Sequence, residues 1–342
     1  MVSAPAQPAG PVRPGIPQGD AGAVLRRILG SCQESRVEGG RELRFAALGT
    51  TCRWVTVGAP EAARRFDQEA LAWVAAFEAK YSRFLSDSWI SRLNESAGGE
   101  AVASDPEIDR ILALCHEMHF LTRDVFDPTA LPLIRLWDWR QARVPTDAEI
   151  EAARQRVGWR KVQRRPGSVR LAEPGMCLDL GGMGKEYAVD QVSLLARRHG
   201  LTGVLVDFGA DLRVSGLPAD GRPGWHLGLE DPANPGRAWC GLAVRDAAVA
   251  TSGDYHRGFN ADGRRWGHIL DPRTGRPVQN GCQAAHVVAP SCTQAGLLST
   301  AALVLGPEEG LRLIESQPGA EGLIHGPRTR LSTRRFHELV AS

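Results

Sequence analysis

LDLGGMGKEYAVDQVSLLARRHGLTGVLVDFGAD, residues 178–211, decides how the rest of this chain is read. Leu178 to Leu180 is a short apolar strand end built around one carboxylate, Asp179. Gly181, Gly182 and Gly184 allow a tight turn and close approach of backbone to a ligand. Lys185 follows at the start of a helix whose apolar stripe is Ala188, Val192, Leu195 and Ala196. Gly200 ends that helix, and Val204 to Phe208 reads as a buried strand running into Gly209-Ala210-Asp211. A glycine turn, a lysine and a helix N-terminus suit a phosphate group. The spacing matches neither the P-loop nor the dinucleotide fingerprint, so an ordinary strand–turn–helix stays open at this point.

Composition narrows the classes. A chain of 342 residues can bury a substantial core, and a net charge of +2 gives no electrostatic case for nucleic acid or an anionic membrane. Seven cysteines are scattered without metal-ligand spacing, which argues against a disulfide framework and for a reducing compartment. No stretch is long and apolar enough for a membrane span. LGSC at 29–32 has the look of a lipoprotein cleavage box, but AVLRRIL (23–29) carries two arginines where an apolar run belongs. The expectation is therefore no export signal and a cytoplasmic setting. Residues 1–21, rich in Pro, Gly and Ala, read as a disordered tail; 22–325 as the folded unit; and 326–342 as a basic tail.

Strands and helices interleave outside the central stretch. Leu43–Val57 reads as a strand broken at Gly49, Glu61–Tyr81 and Asp105–Arg123 as helices, and Thr146 with Glu149 as a capping box. ADG at 261–263 is a hairpin turn. His116 and His119 lie three apart on a helix, without the spacing of a metalloprotease pair, and read as surface or capping histidines. The pattern predicts an α+β fold with mixed or antiparallel sheets and flanking helices.

LDLGGMGKEYAVD and LVDFGADLRVSG resemble the core signature of the ApbE family, the FAD:protein FMN transferases. The stretches FAALGTT (45–51), YSRFLSDSWISRLNES (81–96), FDPTALPLIRLWDW (126–139), VATSGDYHRGFNADGRRWGHILDPRTGRPV (249–278) and APSCTQAGLLSTAALVLGPEEGL (289–311) agree in the same order. The resemblance covers roughly residues 43 to 325. It implies a two-lobed fold holding a flavin nucleotide, and Mg²⁺-dependent transfer of FMN from FAD to a threonine hydroxyl of a target protein, with AMP released. By resemblance Leu48 replaces a methionine that packs on the flavin. Phe84 offers a ring to stack on the isoalloxazine. Asp127, Thr129, Asp179 and Leu270 line the cofactor site. Lys185 supplies charge to the pyrophosphate, and His268 is the candidate base, since an imidazole is available in neutral form near pH 7.

One position departs from the family pattern. Ala-Asp-Ala-Leu-Ala-Thr-Ala, with aspartate and threonine on one helical face, is here Ala295-Gly296-Leu297-Leu298-Ser299-Thr300-Ala301. Thr300 and a backbone carbonyl at Gly182 remain as metal ligands, with Gly296 where the aspartate is expected. Two further functions are therefore carried forward: a flavin-nucleotide-binding relative with impaired or lost transfer, and an FAD pyrophosphatase in which water replaces the threonine. On helix propensity alone, a side chain at 296 should stabilise the helix slightly.

Overall fold

Nine antiparallel strands stand side by side in the order in which the chain makes them. The structure is a computed structural model that describes residues 19–138, 141–255, 257–326 and 329–341; the greater part of the expected N-terminal tail lies outside these. The sheet runs Gln33–Val37, Gly40–Ala47, Thr50–Val57, Gly203–Phe208, Leu212–Gly216, Ala248–Gly253, Ala284–Ala289, Glu321–His325 and Arg330–Ser332. The α+β expectation holds, and every pairing in this sheet is antiparallel.

Alternate residues of each strand face opposite sides, so one strand feeds two cores. Val204, Val206 and Phe208 point into the larger core, whereas Leu205 joins the smaller one. The helices in chain order are α1 (Ala21–Leu29), α2 (Pro60–Tyr81), α3 (Trp89–Glu95), α4 (Pro106–Leu121), α5 (Leu131–Leu136), α6 (Asp147–Arg154), α7 (Gly184–Arg198), α8 (Cys292–Leu305) and α9 (Pro307–Glu315). Helices α1, α2, α7 and α8 bury their apolar faces in the larger core. The hairpin of Trp225–Glu230 and Ala238–Val244 covers the other face. A third cluster joins α5 and α6 to the Gly258–Ala261/Arg264–Gly267 hairpin through Trp137 and Trp266, ring centroids 5.1 Å apart.

Local chemistry sets the element ends. Thr146 and Glu149 form the reciprocal capping box at the head of α6. Leu48 and Gly49 both take positive φ, 53° and 73°, and join two paired strands. The glycine break is thus a two-residue hairpin turn rather than a bulge. The basic segment after 325 departs from the tail expected of it. Arg330–Ser332 extends the sheet, and Phe336 is buried in the smaller core.

Candidate active site

The turn forms at Gly181 and Gly182, although neither these nor Gly184 takes a positive φ. An oxygen of the Asp179 carboxylate accepts from the Gly181 amide at 3.1 Å, and the Asp179 amide donates to the Pro128 carbonyl at 2.8 Å. Asp179 thereby caps the turn and ties it to the FDPT loop. Its second oxygen lies 3.5 Å from Arg83 Nε, and the Arg83 guanidinium sits 4.6 Å from the centroid of the Phe84 ring. Phe84 is 81% exposed, an unusual state for a large aromatic beside a buried element. The loop carrying Phe84 is therefore joined to the glycine turn.

Lys185 opens α7. Its ammonium lies 2.9 Å from Asp211 Oδ2 and 3.9 Å from Glu186 Oε1. Those carboxylates, Glu186 foremost, raise the Lys185 pKa, so the lysine stays charged across the physiological range. Burial and then the Glu186 charge push the Asp211 carboxyl upward, because two acids share one cation.

Asp211 ends the Gly209-Ala210-Asp211 turn, where Ala210 has a φ of 72°. A Cβ on Gly209 would stand 2.6 Å from Thr50 Oγ1, so glycine is needed for the turn to lie against the Leu48–Gly49 hairpin tip. Leu48 and Ala210 are both non-glycine residues in the left-handed region, and they sit on adjoining turns. Each costs on the order of 1 kcal/mol or more, and such outliers concentrate at ligand sites. The Leu48 amide is held by Glu78 Oε2 at 2.8 Å.

Asp127 and Thr129 use their polar atoms within their own loop. Asp127 Oδ1 accepts from the Thr129 amide and hydroxyl at 2.8 and 2.6 Å, Oδ2 accepts from the Trp159 amide at 3.0 Å, and Thr129 Oγ1 accepts from the Gly158 amide at 2.7 Å. Thr129 is fully buried. The pair shapes the loop wall. His119, read as a surface or capping residue, is buried and bonds the Phe126 carbonyl through Nδ1 at 2.9 Å, fixing the same loop. His116 accepts from Trp159 Nε1 at 3.2 Å.

The His268 side chain is exposed, with Nδ1 3.4 Å from the Arg257 carbonyl, while its amide donates to Asp254. A Cβ on Gly267 would fall 1.6 Å from Asp254 Oδ1, so this close approach fixes the backbone just before the histidine. Ile269 packs with Val125, Ala301 and Val304, which places the histidine segment beside α8 and next to the FDPT loop. Leu270 is partly buried against the Trp137–Trp266 cluster instead.

Thr300 Oγ1 and Ser299 Oγ both meet Ser252 Oγ, at 2.8 and 2.9 Å, which binds α8 to the TSG strand. Asp190, missed by the sequence reading, sets the other end of α8. It accepts from the Cys292 and Thr293 amides at 2.9 Å each and from Thr293 Oγ1 at 2.8 Å, and pairs with Arg213 at 2.6 Å. A carboxylate at a helix N-terminus satisfies free N–H groups and complements the dipole. The signal was there: Glu186 and Asp190 are acids four apart among the apolar residues of α7.

Position 296 is crowded rather than vacant. A Cβ there would lie 2.5 Å from Glu186 Cγ and 2.9 Å from Glu186 Oε1. The expectation that a side chain at 296 would stabilise α8 fails on this contact. Among the described residues no group of three or more His, Cys, Asp or Glu is arranged to hold a metal. The donors at hand are hard oxygens: Glu186, Thr300 and the exposed Gly182 turn. Such a set fits a magnesium-like cation that keeps several waters, and does not fit a soft metal.

Comparisons with known proteins place the chain in a family. The ApbE family model matches residues 48–324. The FAD:protein FMN transferase of Treponema pallidum is 33% identical over 262 residues, 72% of each chain. That of Vibrio cholerae is 32% identical over 240 residues, covering 69% of this chain and 72% of the relative. Among solved structures, the ApbE protein of Thermotoga maritima superposes with a TM-score of 0.80 at 30% identity, covering 91% of this chain and 100% of that one. The flavin transferase ApbE of V. cholerae gives 0.79 at 26% identity, covering 90% and 99%. No helix among the described residues is long and apolar enough to cross a membrane. The chain belongs to the ApbE family, and it is an enzyme of the flavin-transferring kind.

Proposed function

We propose that this enzyme moves the FMN moiety of FAD to a threonine hydroxyl of a target protein and releases AMP. The observation that carries the reading is the Lys185 ammonium behind the exposed Gly181-Gly182 turn at the head of α7. A fixed cation and the positive end of a helix dipole together favour a pyrophosphate. Phe84 offers a ring face for the isoalloxazine, and Leu48 an apolar contact on the neighbouring turn.

In the transfer, the threonine oxygen forms a bond to the FMN phosphorus as the bond from that phosphorus to the AMP oxygen breaks. The threonine proton passes to the His268 imidazole, and AMP leaves with the electron pair of the broken bond. Lys185 offsets charge developing on the pyrophosphate oxygens. When bound, magnesium adds further charge neutralisation; Thr300, the Gly182 carbonyl and a carboxylate near position 296 would hold it. Exposure of His268 suits a base that must meet a hydroxyl arriving on another protein.

The test is incubation with FAD, Mg²⁺ and a threonine-bearing target peptide, read by mass for an FMN adduct. An adduct in the native enzyme and none in His268→Ala, with FAD still bound, supports the reading. AMP and FMN without adduct would instead favour the pyrophosphatase. FAD bound but unchanged would favour the binding-only relative, for which the glycine at 296 is the motivating feature.

A further inference from the structure

We propose that Glu186 on α7, rather than any residue at 296 on α8, supplies the carboxylate to the divalent cation of this site. The inference rests on the cation-assisted reading above and concerns which side chain serves it.

Geometry comes first. Glu186 is 6% exposed. Its Oε2 accepts from the Lys185 amide at 2.9 Å, which folds the carboxylate back over the first turn of α7. Its Oε1 accepts no hydrogen bond among the described residues, and its nearest cation is the Lys185 ammonium at 3.9 Å. With no donor of its own, and not sealed from solvent, that oxygen is open to a cation that keeps part of its water. That oxygen lies 2.9 Å from where the Cβ of residue 296 would stand. The carboxylate of an aspartate at 296 would branch from that same point. Glu186 thus reaches, from the neighbouring helix, the region that a side chain on α8 would otherwise enter.

Sterics make the two arrangements exclusive. A Cβ on residue 296 would come within 2.5 Å of Glu186 Cγ, closer than carbon atoms approach, and a tight 3.0 Å from its carboxyl carbon. Glycine at 296 therefore lets the Glu186 side chain take the position it has here. Thr300, one turn beyond Gly296 on α8, stays on the shared face.

Charge points the same way. Glu186 and Asp211 both lie beside Lys185, so two carboxylates share one ammonium. The acid deeper on α7, Asp190, has its own partner in Arg213 at 2.6 Å. The Cys292 thiol is fully buried and held neutral, its pKa raised by desolvation first. Two carboxylates beside a single ammonium leave room for further positive charge, which a divalent cation with retained waters would supply.

The test uses the full chain saturated with FAD and reads Mn²⁺ binding by electron paramagnetic resonance, with thermal unfolding as a check on the fold. Glu186→Gln keeps the shape and should lower Mn²⁺ affinity at least tenfold while the melting temperature stays near that of the parent. Gly296→Asp alone should fold less stably, because it drives a side chain into Glu186. The exchange Glu186→Gly with Gly296→Asp should relieve that clash and return Mn²⁺ affinity to within about threefold of the parent. Undiminished Mn²⁺ binding by Glu186→Gln overturns the proposal. So does a folded double exchange that binds no Mn²⁺. FMN transfer by the parent enzyme at full rate in excess chelator would also overturn it, while leaving the transferase reading intact. Glu186-dependent Mn²⁺ binding without adduct on any threonine target would do the reverse.

Discussion

The Lys185 ammonium and the Asp211 carboxylate stand 2.9 Å apart, joining the turn that opens α7 to the turn that closes the next strand. Neither turn is held by that pair alone. The first is capped by Asp179, and the second is pressed against the Leu48 hairpin tip by the closeness of Gly209 to Thr50. The charge is thus fixed in place before any nucleotide arrives, which lowers the cost of organising the site on binding.

Replacing Lys185 by alanine should separate phosphate recognition from flavin recognition. A charged hydrogen bond of ~1.5–3 kcal/mol corresponds to roughly a 10- to 100-fold loss in affinity for FAD. Riboflavin, which has no phosphate, should lose far less. Calorimetric titration with both ligands checks this, and equal losses would assign Lys185 to the fold instead.

Phe84→Ala should leave stability within about 0.5 kcal/mol of the parent, since the ring is 81% exposed. Flavin binding should weaken several-fold, as loss of a stacking contact of ~1 kcal/mol implies. Urea unfolding and fluorescence titration measure the two effects separately. A large stability loss with unchanged affinity would remove Phe84 from the site.

Asp190→Ala should cost about 3 kcal/mol or more, because it leaves Arg213 without its anion and two α8 amides without their acceptor. The loss should appear in urea unfolding. Transfer should fall with it, since Thr300 is carried on α8. A change below 1 kcal/mol would mean that Ser291, which caps Gln294, holds the helix end unaided.

His286 gives a pH signature. Burial first, and then the neighbouring His325, push it down from 6.5 to about 3. The unfolded chain therefore takes up the proton first. The stability this residue contributes is complete above pH 6.5 and is lost as pH falls toward 3. The slope from this one group is at most ~1.4 kcal/mol per pH unit. His286→Gln should flatten the difference in unfolding free energy between neutral and mildly acidic buffer. An unchanged slope would contradict the assignment.

How much of this was legible beforehand depended on distance along the chain. The glycine turn, the lysine, the Thr146 cap and the ADG hairpin are local events, decided within a few residues, and they appear where the sequence put them. The resemblance brought His268, Phe84 and Leu48 to notice, and the structure puts Leu48 on a strained turn beside the site. Other features needed partners far away. Nothing near Asp127 announces that its oxygens serve Thr129 and Trp159. Nothing near Gly296 announces that Glu186 fills its space. Asp190 showed only as an acid within an apolar helix, and its role requires a helix more than 100 positions on. The basic C-terminal segment lacked periodicity, yet pairing with a sheet edge needs backbone groups rather than a side-chain pattern.

The sheet order also has a kinetic consequence. Strand Thr50–Val57 pairs with Gly203–Phe208, and Arg53 bonds Asp207 across 154 positions. Closing so long a loop carries an entropic penalty, and non-local pairing of this kind folds slowly. The Leu48 tip and the Gly209 turn adjoin only after this closure. Competence to bind a flavin should therefore emerge as one of the final events of refolding, behind the recovery of helical signal. A flavin added during refolding would act as a reporter of that last step rather than as a template for the first.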